Sequence, residues 1–267
     1  MRKRGFTLIE LLVVIAIIAL LLSILLPGLK TSKDIAKRVI CASRLRQVGV
    51  AMRSYSQSFE LLPDAVDNSG KQESGHSYAV YRGDKPEWFD SRGNPIPLRW
   101  AKLYVAGFIS EPELFYCPGN RMDLYKYESY SKPAPWGTLP QDFNTATGSN
   151  QWVRIGYTYF PIARNPVMSS TFFAPKEFPK KFDQLHPALP YATDILWGRQ
   201  NLSHQRMQST DSGYKESNNY SVNALFADAH VSNCKNKDVF KHDVWDRFPG
   251  VDYNEYYFTV FKLIGSH

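Results

Sequence analysis

Cysteine is scarce in this 267-residue chain, which has three: Cys41, Cys117 and Cys234. Three cysteines are too few for a disulfide-stabilised scaffold, and their wide separation excludes a CxxC metal or redox motif. If the domain lies outside the cytoplasm, one disulfide and one free thiol would fit this count, because disulfides persist in oxidising compartments. The spacing of the cysteines leaves the choice of pair open.

Dense basic blocks are also missing, although the chain has a formal net charge of +7. Arg2, Lys3 and Arg4 stand together at the N-terminus, and the other basic residues are interspersed with Asp and Glu. Nucleic-acid-binding proteins usually concentrate Lys and Arg where they contact phosphates. We therefore expect no nucleic-acid partner.

The common catalytic fingerprints are absent as well, namely HExxH, GxSxG, the P-loop and the dinucleotide glycine motif. No sequence argument places a histidine near Cys117, which disfavours a cysteine nucleophile. Asp228 and His230 would share one face of a strand, with His204 or Asp194 as further candidate metal ligands. A hairpin turn with a solvated histidine explains the same residues and is the preferred interpretation. We expect no enzymatic activity, no metal and no cofactor.

A long apolar run, by contrast, is present near the N-terminus. Residues 6–26 contain a single charged residue, Glu10. As a helix this run would be about 32 Å long, close to the thickness of a bilayer core, and it is apolar on every face. A removable secretory signal is disfavoured because its apolar stretch is only roughly 7–15 residues and ends in a small-x-small site, which is missing here. The run therefore predicts a membrane-spanning helix.

The flanking charges predict the orientation of this helix. The basic cluster before the run should stay in the cytoplasm, so the rest of the chain would lie outside. A carboxylate within a spanning helix is costly and is usually kept for a function or a partner. For Glu10 the simpler alternative is that the side chain reaches the nearby membrane interface.

From Leu29 onward the sequence becomes amphipathic, with apolar residues every three or four positions and charged residues between them. Only Pro27 and Gly28 interrupt the pattern, and a proline can kink a spanning helix without ending it. We predict one helix with a transmembrane half at residues 6–28 and an amphipathic half at residues 29–60, which lays an apolar stripe on a globular head. The stripe comprises Ile35, Val39, Ala42, Leu45, Val48, Met52, Tyr55 and Phe59.

The head is predicted to comprise residues 61–267 and to be an α+β domain with long loop insertions. A short strand is expected near residues 78–81, a short helix at 100–109 that stops at Gly107, and a strand-like run at 114–118. Residues 125–150 should be irregular. An antiparallel sheet packed on the helix would bury the apolar faces of both. Four β-type runs are candidates for its strands: residues 155–160, 191–197, 222–226 and 256–261.

The N-terminal residues resemble the cleavage and methylation site of type IV prepilins and type II secretion pseudopilins. A short basic leader ends at Gly5, Phe6 follows, and Glu10 lies four residues beyond Phe6 within an uninterrupted apolar run. Pro27 stands where these proteins commonly have a helix-kinking proline. The resemblance implies a pilin-like fold and a prepilin peptidase that removes residues 1–5 and N-methylates Phe6. It also implies that Glu10 pairs with the terminal amine of a neighbouring subunit, which would satisfy a carboxylate in lipid.

Three further segments, residues 41–49, 115–118 and 223–231, are similar to a large pilin-like family with a C-terminal H-x9-DG motif. Here the glycine of that motif is Ala229, between Asp228 and His230, and the position ten before Asp228 is Asn218 rather than histidine. Alanine accepts positive φ less readily than glycine, so we expect a different turn type.

The same resemblance implies a disulfide between Cys41 on the helix and Cys117. It would attach the helix covalently to the sheet region of the head.

Together these observations predict a structural subunit of a type II secretion or type IV pilus-like filament. Its partners would be prepilin peptidase and other pilin subunits, which it contacts through the N-terminal helix. It would cross the bacterial cytoplasmic membrane once, with the head in the periplasm or outside the cell. The alternative is a membrane-anchored surface module that binds a ligand such as polysaccharide, favoured by the long aromatic-rich insertion at residues 61–150.

Overall fold

The computed structural model describes residues 7–64, 69–70, 77–120, 122–131, 152–166, 168, 178–194, 208–210, 213–215, 221–235 and 253–266. This part of the chain is α+β, as predicted, with one long helix followed by short antiparallel strands and short helices. The helices are α1 (Leu8–Phe59), α2 (Ala101–Val105), α3 (Glu128–Ser131) and α4 (Tyr253–Gly265). The strands are β1 (Ala79–Arg82), β2 (Trp152–Arg154), β3 (Tyr157–Tyr159), β4 (Ala192–Asp194), β5 (Gln208–Thr210), β6 (Gly213–Lys215), β7 (Val222–Leu225) and β8 (Val231–Cys234).

Helix α1 has 52 residues and is therefore about 78 Å long. It ends at Phe59, after which Glu60 takes a left-handed conformation with φ of 56°. The helix continues through Pro27, and the hydroxyl of Thr31 donates to the Pro27 carbonyl oxygen at 3.1 Å. The predicted single long helix is confirmed, and the kink at Pro27 stays a prediction.

A four-stranded antiparallel sheet in the order β3-β4-β7-β8 lies against α1. The predicted runs at 155–160, 191–197 and 222–226 contain β3, β4 and β7, although residues 195–197 lie outside the described part. Two separate two-stranded sheets pair β1 with β2 and β5 with β6. Strand β1 and helix α2 also match their predictions, and the chain turns after α2 at Gly107, whose φ is 78°.

Strand β7 shows how the head is layered, because successive side chains point to opposite faces of a strand. Leu225 belongs to the core cluster that contains Leu45 and Met52 of α1. Val222 and Ala224 belong to a second cluster, formed with the buried residues of α4. The sheet therefore lies between α1 on one face and α4 on the other.

Two predicted strands are wrong. Residues 256–261 lie within α4, where Tyr257, Val260, Phe261 and Ile264 are buried. Their spacing of three, four and seven residues from Tyr257 forms one face of a helix, and this period outweighs the β propensity of the aromatic run. The strand-like run at 114–118 overlaps a 3₁₀ turn over Pro112–Phe115, whose first residue is a proline.

The apolar stripe on α1 is shorter than predicted. Leu45, Val48 and Met52 are fully buried, but Ile35, Val39 and Phe59 are 55%, 63% and 51% exposed. The first buried residue of the helix is Cys41. The amphipathic pattern is therefore longer than the surface that the head covers.

Candidate functional site: the long helix and its junction with the head

A capping box marks the start of α1, where the predicted processing site lies. The Thr7 backbone N–H and hydroxyl donate to Oε2 of Glu10 at 2.9 and 2.8 Å, and the Glu10 N–H donates to the Thr7 hydroxyl at 3.3 Å. These bonds satisfy backbone groups that a helix N-terminus leaves unpaired. Gly5 and Phe6 lie outside the described residues. In the sequence, the bond between them precedes the cap residue Thr7.

The role of Thr7 was not predicted, although the sequence contains its signal. Thr-x-x-Glu immediately before an apolar run is the spacing of a capping box. In the structure this pairing gives Glu10 a partner in its own chain, so its carboxylate is not isolated at the end of the apolar helix.

The first part of α1, residues 8–40, has no buried residue, and we call it the exposed half. It contains an apolar stretch that is long enough to cross a membrane and is not covered by the described part of the head. The Ser23 and Ser32 hydroxyls donate to the carbonyl oxygens of Leu20 and Gly28, at 2.7 and 3.0 Å. These hydroxyls are therefore satisfied by the helix's own backbone, as a lipid environment requires.

The remainder of α1, residues 41–59, lies on the head, and we call it the docked half. Cys41 forms a disulfide with Cys117, with a Cα–Cα distance of 5.1 Å. This is the pairing that the family resemblance implied. About two turns further along α1, Gly49 allows a close approach, because a Cβ atom there would lie 2.8 Å from Cδ1 of Leu225.

Polar contacts complete the junction on either side of the disulfide. The Arg44 guanidinium donates to the carbonyl oxygens of Glu113 and Tyr116 at 3.1 and 2.7 Å, and forms a 2.6 Å ion pair with the Glu113 carboxylate. The Tyr157 hydroxyl donates to the Cys41 carbonyl oxygen at 3.3 Å, and the Asn223 amide donates to that of Arg38 at 3.1 Å. These hydrogen bonds hold α1 in one register on the head at the point where the docked half begins.

Burial around the disulfide affects Tyr157 in particular. Desolvation, reinforced by the nearby Asp194 carboxylate, raises the pKa of Tyr157 well above its ordinary value despite the opposing effect of Arg44. Its hydroxyl therefore stays protonated and remains a hydrogen-bond donor to α1.

The C-terminal motif residues Asp228, Ala229 and His230 form the turn between β7 and β8. The Ala229 N–H donates to the Phe226 carbonyl oxygen at 2.9 Å, and the Phe226 N–H donates to that of His230 at 3.1 Å. Ala229 has a φ of 67°. Alanine therefore adopts here the left-handed conformation that glycine prefers, whereas Asp228 before it does not have positive φ, as a type I′ turn would require.

The side chains of this turn interact mainly with each other. The His230 ring stacks on Phe226 with centroids 4.3 Å apart, and its Nδ1 contacts the Asp228 carboxylate. Although partial burial acts to raise it, hydrogen bonds from the His230 backbone and ring hold the pKa of Asp228 below its ordinary value. The arrangement resembles a stabilised turn, with His230 half exposed.

Asp228 and His230 are not joined by a third potential metal ligand within the described residues, and His204 lies outside them. One group in the described part of the chain does bring three ligand-type residues together: Cys41, Cys117 and Asp194. The two sulfur atoms of that group are bonded to each other. Asp194 accepts a hydrogen bond from the Asn223 N–H at 2.8 Å.

Comparison with known proteins identifies the N-terminal segment. Residues 1–26 match the family model of the prokaryotic N-terminal methylation motif. No curated protein and no solved structure matches the chain. The motif and the long apolar helix together fit a prepilin-like protein, and they indicate a structural subunit rather than an enzyme.

Proposed function

We propose that this chain is a pilin-like subunit that prepilin peptidase cleaves between Gly5 and Phe6 and then N-methylates on Phe6. The mature subunit assembles through α1 into a type II secretion or type IV pilus-like filament. The match of residues 1–26 to the methylation motif carries this proposal. The uncovered apolar surface of the exposed half supports it, because such a surface requires lipid or neighbouring helices.

Before assembly, the subunit would be held in the cytoplasmic membrane by one spanning helix, with its head in the periplasm or outside the cell. The disulfide between Cys41 and Cys117 supports this orientation, because disulfides persist in oxidising compartments and are rare in the cytoplasm. The basic residues Arg2, Lys3 and Arg4 would remain on the cytoplasmic side and leave with the leader peptide.

The geometry at Glu10 is compatible with its proposed role in assembly. Both hydrogen bonds from Thr7 use Oε2, so Oε1 can accept from the amine of a neighbouring Phe6. A carboxylate that gains an ammonium partner in a low-dielectric environment is strongly stabilised relative to one without such a partner. This pairing would select one axial stagger between neighbouring α1 helices.

Mass spectrometry of the mature protein tests the processing. We expect an N-terminus at N-methyl-Phe6, and a chain that still begins at Met1 would contradict the proposal. Gly5→Val should block cleavage and leave the full-length precursor in the membrane fraction. Gly28→Val is the matched control, because its Cβ meets no atom within 4 Å and it lies far from the cleavage site.

Assembly is tested separately by Glu10→Val. We expect cleavage to proceed and incorporation into filaments to be lost, whereas Leu12→Val should leave both unchanged. Crosslinking between α1 helices in cells gives the measurement. Unchanged incorporation of the Glu10→Val subunit would show that the amine pairing does not drive assembly.

A further inference from the structure

Three lysines stand on α1 between the apolar run and the head. The apolar run ends at Leu26, and the next charged residue along the helix is Lys30, followed by Lys33 and Lys37. All three lysine side chains are exposed, and none has an ion pair or a side-chain hydrogen bond within the described part of the chain. We call Lys30, Lys33 and Lys37 the basic stripe.

The charge of this part of α1 is strongly one-sided. Residues 27–40 contain four basic residues and one acidic residue, which gives a net charge of +3. Basic residues that flank a span usually mark its cytoplasmic side, but Arg2, Lys3 and Arg4 already do so at the other end of the apolar run. The basic stripe therefore calls for a separate explanation, and its charge is complementary to an anionic partner.

The basic stripe lies on the side of α1 that faces the head. Its members are three and four residues apart, a spacing that places them on one face of a helix. Lys37 lines a cleft together with Cys117 of the head, and Cys41, four residues beyond Lys37, is bonded to Cys117. Ile35 and Val39 lie about 160° away from Lys37 around the helix. The exposed apolar surface that they offer to neighbouring helices is therefore separate from the basic stripe.

The position of the basic stripe along α1 places it at the membrane surface. With the apolar run in the bilayer core, Lys30, Lys33 and Lys37 lie about 6, 10.5 and 16.5 Å beyond Leu26. The polar headgroup region adds roughly 5–7 Å on each side of the core. Side chains on a helix tilt toward its N-terminus, which here is the membrane side, and lysine extends its ammonium group to such an interface. Lys30 and Lys33 therefore reach the headgroups, and Lys37 stays within about one Debye length of them.

We propose that the basic stripe binds the phosphate groups of anionic lipids on the head side of α1. Lysine ammonium groups bind phosphate as point charges, and the lipid surface brings phosphates to all three of them. This contact would set the depth at which α1 is inserted and hold the adjoining part of the head close to the bilayer. The proposal rests on the membrane insertion of α1, and it does not require cleavage or filament formation.

The test uses the full chain in phosphatidylcholine bilayers at low ionic strength. Trace phosphatidylglycerol or phosphatidylcholine with a spin label on its acyl chain is added, and electron spin resonance gives the fraction of each lipid that the protein restricts. One lysine near an anionic surface contributes up to about fivefold, so we expect at least a threefold preference for phosphatidylglycerol. The preference should fall in 1 M salt, where the Debye length is only about 3 Å. Equal restriction of the two lipids would overturn the proposal.

The triple variant Lys30→Gln/Lys33→Gln/Lys37→Gln removes the basic stripe and keeps exposed, helix-favouring side chains. We expect its preference for phosphatidylglycerol to fall at least twofold. Among the single variants, Lys30→Gln should lose most and Lys37→Gln least, because Lys30 lies nearest to the headgroups. An unchanged preference in the triple variant, or the reverse order among the single variants, would contradict the proposed contact.

The charge-matched control is Arg46→Gln/Lys180→Gln/Lys181→Gln, which removes three exposed basic residues far from the span. Arg46 lies about 30 Å beyond Leu26 along α1. The Lys180 carbonyl oxygen accepts from the Leu62 N–H at 2.7 Å, so Lys180 and Lys181 lie beside the far end of α1. We expect this control to keep the lipid preference. A loss as large as that of the stripe variant would show that net charge alone attracts the lipid.

A neighbouring subunit is the competing anionic partner, and crosslinking between α1 helices in cells distinguishes it from lipid. Lost crosslinks in the stripe variant together with an unchanged lipid preference would assign the basic stripe to subunit contacts and overturn lipid binding. The leader, if it is still attached, is the same in every variant, so the lipid measurement does not depend on cleavage. A chain that is neither cleaved nor assembled but shows a stripe-dependent lipid preference would contradict the proposed function and support the present inference.

Discussion

The two halves of α1 are continuous in backbone but opposite in environment. In the exposed half, large apolar side chains such as Leu25 are 64% exposed, whereas Leu45 in the docked half is fully buried. The docked half also has a disulfide and the Arg44 contacts with the head, whereas the Ser23 hydroxyl of the exposed half donates to the backbone of α1 itself. One helix thus lies in two different environments, and the head forms only the environment of the docked half.

The largest effect should follow from removing the bond that joins the docked half to the head. Cys41 and Cys117 are 76 residues apart, and a crosslink over such a loop stabilises a fold by about 2–4 kcal/mol. We expect the double variant Cys41→Ser/Cys117→Ser to lose this amount in denaturant unfolding. Cys234→Ser, which removes the free thiol, is the control. Equal losses for the two variants would show that the disulfide contributes nothing specific.

The next largest effect should come from truncating one leucine in each half of α1, because the two variants should differ in the stability of the head. Leu45→Ala creates a cavity in the core and should destabilise the head by about 2–5 kcal/mol. Leu25→Ala should change the stability of the head by less than about 0.5 kcal/mol. Tryptophan fluorescence during denaturant unfolding measures both. A comparable loss for Leu25→Ala would mean that the exposed half also packs on the head.

Two glycines provide a finer comparison. A Cβ at Gly49 would lie 2.8 Å from Cδ1 of the buried Leu225, so Gly49→Ala should cost about 1–3 kcal/mol through overpacking. A Cβ at Gly28 meets no atom within 4 Å, so Gly28→Ala should favour the helix by up to about 1 kcal/mol. Thermal unfolding should show a lower midpoint for the first variant alone. A tolerated Gly49→Ala would show that Leu225 moves aside.

The smallest effect concerns the hairpin that lies against the docked half. Replacing Ala229 with glycine should relieve the cost of its positive φ and stabilise the head by about 0.5–1 kcal/mol. Ala227→Gly in the same turn should instead destabilise it by a similar amount, because Ala227 does not have positive φ. Denaturant midpoints of the two variants should therefore move in opposite directions. A loss of stability in both would exclude strain at Ala229.

The sequence predicts α1 well because its signals are local. An apolar run, a basic leader and a three-to-four-residue period define a helix without reference to the rest of the chain. The position along α1 at which contact with the head begins depends on the tertiary structure. The periodicity of the sequence therefore could not show that Ile35 and Val39 stay exposed. An amphipathic pattern of this kind is equally suited to packing against lipid or against another helix.

The head was predicted less completely, for two physical reasons. Tyr257 and Phe258 favour strands by local propensity, and the decisive helical face becomes visible only when Ile264 is included. The contacts of Arg44 with Glu113 and Tyr116 join residues that are 69 and 72 positions apart in the sequence, a proximity that no local pattern encodes. The Cys41–Cys117 pair was anticipated only through a family resemblance, because three cysteines allow three pairings.

The position of the disulfide has a mechanical consequence for a subunit held by its exposed half. A helix pulled away from a surface peels from the edge of the contact, one residue at a time. Cys41 is the first buried residue of α1, so the covalent bond stands at that edge. Force applied through the exposed half therefore enters the head through a sulfur–sulfur bond, and the packed residues beyond it share the load in shear.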